Sequence, residues 1–176
     1  MTSVTIGKGV TSIGDGAFGG CEKLVEIINN SSLNIVKGSS DNGSVGKYAL
    51  IVKKGGTSEI ITKDEYLFYT YDNTNYLLGY VGNETQLILS SDYYGQRYEI
   101  YKDAFYCCSG LTSVTIGNGV TSIGDRAFYY CTGLTRIDFN GTIAQWKAIE
   151  KGYYWCNYTG DFTVYCTDGT ISKLEA

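Results

Sequence analysis

The chain repeats itself. Residues 2–21 read TSVTIGKGVTSIGDGAFGGC, and residues 112–131 read TSVTIGNGVTSIGDRAFYYC. Only Lys8/Asn118, Gly16/Arg126, Gly19/Tyr129 and Gly20/Tyr130 differ. A weaker copy sets the period. Ile100, Ala104, Phe105, Cys108, Gly110 and Leu111 recur 23 residues later as Ile123, Ala127, Phe128, Cys131, Gly133 and Leu134. A unit this short cannot bury its own apolar side, so neighbouring copies must stack into a solenoid.

Each residue of the unit has a physical task. Val114 and Ile116 alternate as one face of a short strand, which Leu111 enters. Gly117 and Gly119 turn the chain, and Val120 and Ile123 point back inside. Asp125 is placed to cap a short helical turn over 126–130. Ala127, Phe128 and Cys131 cover the strand from behind, and Gly133 leads into the next copy. The same core slots hold Phe18 and Cys21 in the first copy, and Phe105 and Cys108 in the weaker one.

The pattern Leu111-x-x-Val114-x-Ile116, Val120-x-x-Ile123-Gly124, Ala127-Phe128-x-x-Cys131-x-x-Leu134 resembles the BspA-like class of leucine-rich repeat. Its Ala-Phe-x-x-Cys-x-x-Leu core starts at Ala17, Ala104 and Ala127. The resemblance implies a β-rich (α+β) right-handed leucine-rich-repeat solenoid. It also implies a place in a secreted or cell-surface protein of a bacterium. Relatives often carry Pro after the strand, where this chain has Gly7, Ser90 and Gly117; the chain has no Pro at all. Residues 1–10 lack the pattern of a signal peptide, and Met1 stands where Leu111 stands. The chain therefore reads as a fragment of a longer array.

Four segments follow. Residues 1–32 are an N-terminal repeat unit with a truncated start. Residues 33–86 are an all-β insert continuing the sheet. Its expected hairpins are 48–52 with 59–62 around Gly55-Gly56, and 65–71 with 76–81 around 72–75. Residues 87–139 return to the repeat. Residues 140–176 form a helix-plus-hairpin cap: Thr142 and Gln145 make a capping box, Ile143, Trp146 and Ile149 make one apolar stripe, and Asp168-Gly169 marks a hairpin.

Composition excludes most chemistry. There is no His among 176 residues, so no Ser-His-Asp triad, Cys-His dyad or histidine metal site can form. No cofactor and no metal are expected. Net charge is −4 with no basic cluster beyond Lys53-Lys54, which argues against nucleic acid. No apolar run is long enough to span a membrane. Cys21, Cys108 and Cys131 read as small buried residues. Cys156 and Cys166 are a candidate disulfide pair. Asp15 and Asp125 read as caps rather than as a catalytic pair.

What remains is tyrosine, 17 residues of it. Tyr69, Tyr71 and Tyr76 fall on the second hairpin, Tyr106, Tyr129 and Tyr130 in variable repeat positions, and Tyr153, Tyr154 and Trp155 in the cap, near Tyr158. Strand residues alternate faces, so the hairpin rings cannot all lie on one covered side. Exposed tyrosines are amphipathic and cheap to order, which suits contact. The expected function is non-catalytic recognition of a protein on a host or community surface, through the exposed sheet and the tyrosine-rich loops. Carbohydrate binding by stacked Tyr and Trp155 is one alternative; a structural spacer is another. The solenoid ends are candidates for self-association.

Overall fold

The computed structural model describes residues 1–176, which divide into two compact units, residues 1–60 and 61–176.

In the first unit, β1 (Ser3–Ile6), β2 (Glu26–Asn29) and β3 (Ile51–Lys53) form a parallel sheet. Ser3 lies opposite Glu26, and Glu26 opposite Ile51. Between β2 and β3 lies α1 (Asp41–Ser44), a single turn with left-handed angles at Asn42 and Gly43. Ile6, Leu24, Ile27, Ile35, Val45 and Ala49 make the core. Phe18 and Cys21 are half-buried against it.

The second unit begins with an antiparallel meander, β4 (Ile61–Lys63), β5 (Tyr66–Tyr71) and β6 (Thr74–Tyr80). After it each coil contributes one strand to each of two sheets. Strands β7 (Gln86–Ile88), β9 (Ser113–Ile116), β11 (Arg136–Phe139) and β13 (Thr163–Cys166) run parallel in the first sheet. There β14 (Gly169–Ser172) closes the edge antiparallel to β13. Strands β8 (Tyr98–Ile100), β10 (Val120–Ile123) and β12 (Glu150–Lys151) extend the meander as the second sheet. The core between the sheets holds Val114, Ile116, Ile123, Phe128, Cys131, Leu134 and Ile137. Phe105 and Phe128 stack at 5.0 Å, and the Cys131 thiol donates to the Phe105 carbonyl at 3.1 Å. Cys131 is fully buried, and Cys108 is half-buried against the same core.

Three details differ from the sequence reading. The 48–62 hairpin does not form: β3 pairs parallel with β2, and β4 pairs with β5. The solenoid thus makes one more coil before the meander, because stacking an apolar strand on its neighbour buries more than a two-stranded ribbon can. Residues 120–123 form a second strand, β10, and not merely a return. Gly119 also does more than turn the chain, since a Cβ there would run into the Ser91 carbonyl of the preceding coil.

The cap follows expectation in type. In α2 (Ile143–Ala148) the Gln145 N–H donates to the Thr142 hydroxyl at 3.2 Å, and the Thr142 N–H to the Gln145 side chain at 2.8 Å. Helix α2 ends before Gly152, because Ile149 is extended and residues 150–151 join the second sheet as β12. A final 3-10 turn covers Lys173–Glu175. No helix is long and apolar enough to cross a membrane.

Candidate functional site

The third side of each coil in the second unit is a run of tight turns, not the short helix expected over 126–130. The N–H groups of Ala127, Tyr129 and Cys131 bond back three residues to Gly124, Arg126 and Phe128. The alternate N–H groups of Arg126, Phe128 and Tyr130 bond across to Tyr153, Trp155 and Asn157, at 3.0, 2.7 and 3.0 Å. Asp103, Phe105 and Cys107 bond in the same way to Asp125, Ala127 and Tyr129. A helix would keep those bonds inside one coil; the turns share them with the next. Asp125 accordingly caps the neighbour: its carboxylate accepts the Tyr153 N–H at 2.7 Å.

This geometry needs a left-handed residue every fourth position. The residues concerned are Asp103 and Cys107, then Arg126 and Tyr130, then Tyr154 and Tyr158, with φ between 53° and 60°. The first copy places Gly16 and Gly20 there, at 67° and 73°. The Gly16/Arg126 and Gly20/Tyr130 differences between the copies are therefore differences at strained backbone positions. A side chain there costs roughly 1 kcal/mol relative to glycine.

The rings gather on this turn edge. Tyr106 stacks on Tyr129 at 5.6 Å with planes 3° apart. Tyr130 stacks on Tyr158 at 4.8 Å, and Tyr129 meets both edge-on at 4.8 and 5.2 Å. The Arg126 guanidinium lies 5.9 Å from the Tyr106 ring and reaches Asp103 at 3.0 Å. Tyr106, Tyr130, Tyr154, Tyr158 and Tyr153 are 40, 43, 62, 60 and 81% exposed. The Tyr106 phenol is pushed up first by the neighbouring Cys107, and the Tyr129 phenol first by burial and then by Tyr158 and Tyr130. Both stay protonated at neutral pH and donate hydrogen bonds. Tyr158, grouped by sequence with Tyr153, Tyr154 and Trp155, joins the set through its contacts with Tyr129 and Tyr130.

Other expected contacts lie elsewhere. Tyr69 is 1% exposed, because both faces of its hairpin are covered: Phe68 and Leu77 point into the core, while Tyr69 and Leu78 are buried on the opposite side. Tyr71 is half-buried. Tyr76 is half-buried with its ring edge-on to Tyr101 at 5.4 Å. Trp155 is 8% exposed and packs against Phe128, Trp146 and Phe162 at 6.3, 6.0 and 5.9 Å. It is a core residue of the cap, not a surface ring. Cys156 and Cys166 are free thiols, both pushed up by burial, Cys156 to about 11.

The outward face of the β7–β14 sheet is a second open surface. It carries Ser113, Thr115, Arg136 and Asp138 around a groove of about 600 Å³. Arg136 binds Asp138 through two bonds of 2.6 and 2.7 Å and lies 3.9 Å over the Tyr165 ring. Ile88 at its edge is 72% exposed.

Stacked coils with strand, return strand and turn edge define a leucine-rich-repeat solenoid. Residues 1–77 and 97–164 match the family described as the BspA type leucine rich repeat region, in six copies. The chain belongs to that family. A leucine rich cell surface protein from Faecalibacterium prausnitzii A2-165 is 27% identical, with a TM-score of 0.44, over 59% of this chain. The chain spans 30% of that protein. No curated protein matches it.

Proposed function

We propose that this chain is a non-catalytic recognition module of a secreted or cell-surface bacterial protein. It contacts a protein partner through the turn-edge tyrosines Tyr106, Tyr129, Tyr130, Tyr153, Tyr154 and Tyr158. Membership of a repeat family that builds surface scaffolds supports this reading, as does a sequence without a single histidine.

One observation carries the site. Tyr130, Tyr154 and Tyr158 are exposed rings on left-handed backbone. Folding alone favours glycine there, as Gly16 and Gly20 illustrate. A retained strained residue that does not fill the core points to function. Rigid, neutral, hydroxyl-bearing rings are the usual anchors of protein contacts. The carbohydrate alternative loses its tryptophan, because Trp155 is buried. The stacking of Tyr130 on Tyr158 would serve a spacer as well, but it gives no reason for Tyr154, which is 62% exposed.

The test exploits the strain. The triple variant Tyr130→Gly, Tyr154→Gly, Tyr158→Gly relieves three left-handed positions but loses the Tyr130–Tyr158 stack and the edge contacts with Tyr129, so it is expected to stay folded, within about 2 kcal/mol of the parent. It should lose capture of the protein that the parent cross-links on host or community cell surfaces. Unchanged capture by the folded variant would remove the tyrosine edge from consideration.

A further inference from the structure

The outward sheet face of the first unit is already occupied around Glu26, and by this chain itself, while Thr5 on the same face stays exposed. Strand β2 sends Ile27 into the core and therefore Glu26 outward. Yet Glu26 is 0% exposed. After β3 the chain turns at Gly55 and Gly56, both left-handed at 71° and 89°, and residues 57–59 return over the sheet. The Glu59 N–H donates to Glu26 Oε1 at 3.1 Å, and the Ser58 hydroxyl bonds the same carboxylate. Lys53 Nζ bridges Glu26 and the Glu59 carboxylate, 2.9 Å from each. Ser3 completes the set from β1, its hydroxyl 3.0 Å from Glu26 Oε2.

The near-identical copy in the second unit shows the same face uncovered. Ser113 and Arg136 hold the register of Ser3 and Glu26. There the groove stands open and Arg136 is exposed. The repeat does not require its sheet face to be covered. The covering belongs to the Thr-Ser-Glu segment and to the acceptor and cation that meet it.

We propose that the Ser3–Glu26–Lys53 face is a recognition site for an extended Ser-Glu peptide segment, held in cis by residues 57–59. Its ligand chemistry is specific. Glu26 takes consecutive backbone and hydroxyl donors, and Lys53 takes the acidic side chain that follows. This site is separate from the tyrosine edge and stands or falls independently of it. The tethered segment has an effective concentration on the order of millimolar, so a free peptide meets a closed face in the parent chain.

The probe is a synthetic peptide of residues 54–62, and the protein is the full chain with Thr57, Ser58 and Glu59 each changed to Gly. In amide NMR spectra the peptide should shift the resonances of Ser3, Glu26 and Lys53 saturably at millimolar concentration. It should leave the parent unshifted. Adding Glu26→Gln should weaken binding at least tenfold, since the bonds to the carboxylate are charge-assisted. If the glycine variant loses spectral dispersion, the double variant Ser58→Ala, Glu59→Gln serves instead, since it removes the side-chain contacts of the segment with both Glu26 and Lys53. No saturable shift in a folded variant, equal binding to the parent, or binding that survives Glu26→Gln would each overturn the proposal.

Discussion

At the scale of the residue, backbone angle and burial decide what a side chain is for. Tyr153, Tyr154 and Trp155 are consecutive and all aromatic, and sequence alone groups them. In the structure Tyr153 is 81% exposed and Trp155 is 8% exposed. Trp155→Ala should cost about 4 kcal/mol through the cavity left among Phe128, Trp146 and Phe162. Tyr153→Ala should change stability by less than about 0.5 kcal/mol. Chemical denaturation of the two variants checks both. Tyr69 carries the same lesson. Alternation along its strand is legible in the sequence, but the covering of its second face is not. The left-handed positions did leave a trace, Gly16 and Gly20 four residues apart opposite Arg126 and Tyr130. That trace reads as a loose surface until the φ angles give its meaning.

At the scale of the element, local signals succeed where the bonds are local. The Thr142–Gln145 capping box forms as its spacing predicts, and the C-terminal hairpin forms with its turn one residue earlier, at Thr167-Asp168, because Gly169 pairs with Cys166. Thr142→Ala should lower stability by about 1 kcal/mol, measured by thermal unfolding. The β5–β6 hairpin forms for the same reason, with its turn at Asp72-Asn73. Failures fall where a bond goes to another coil. Residues 48–52 and 59–62 look like a ribbon around Gly55-Gly56. Instead β3 joins β2, and the glycines turn the chain back over the sheet. Residues 126–130 look like a helical turn, yet three of their five N–H groups reach the cap, and Asp125 reaches Tyr153.

At the scale of the whole molecule, a chain without histidine has no side chain whose ordinary pKa lies between pH 5 and 8. Its pH response rests on carboxylates such as Glu26. Burial alone would raise Glu26, but the bonds from Ser58, Lys53, the Glu59 N–H and Ser3 outweigh it and hold the carboxyl below its usual value. A depressed carboxylate stabilises fully above its unfolded pKa, near 4.5, and that stability is lost as pH falls through the lower folded value. Glu26→Gln should therefore be less stable than the parent at pH 7, with the difference shrinking toward pH 3. Urea titrations at several pH values measure it; a difference independent of pH would contradict the assignment.

The repeat, its 23-residue period, its core slots and the Thr142–Gln145 capping box were readable in the amino-acid order, because periodic burial and short-range hydrogen bonds are local. The order alone could not tell which tyrosines stay in water, nor that Thr57-Ser58-Glu59 folds back onto Glu26. Exposure depends on what covers a face, and the strain on Tyr130, Tyr154 and Tyr158 arises only when coil stacks on coil. Those non-local contacts carry the candidate tyrosine edge and the occupied sheet face.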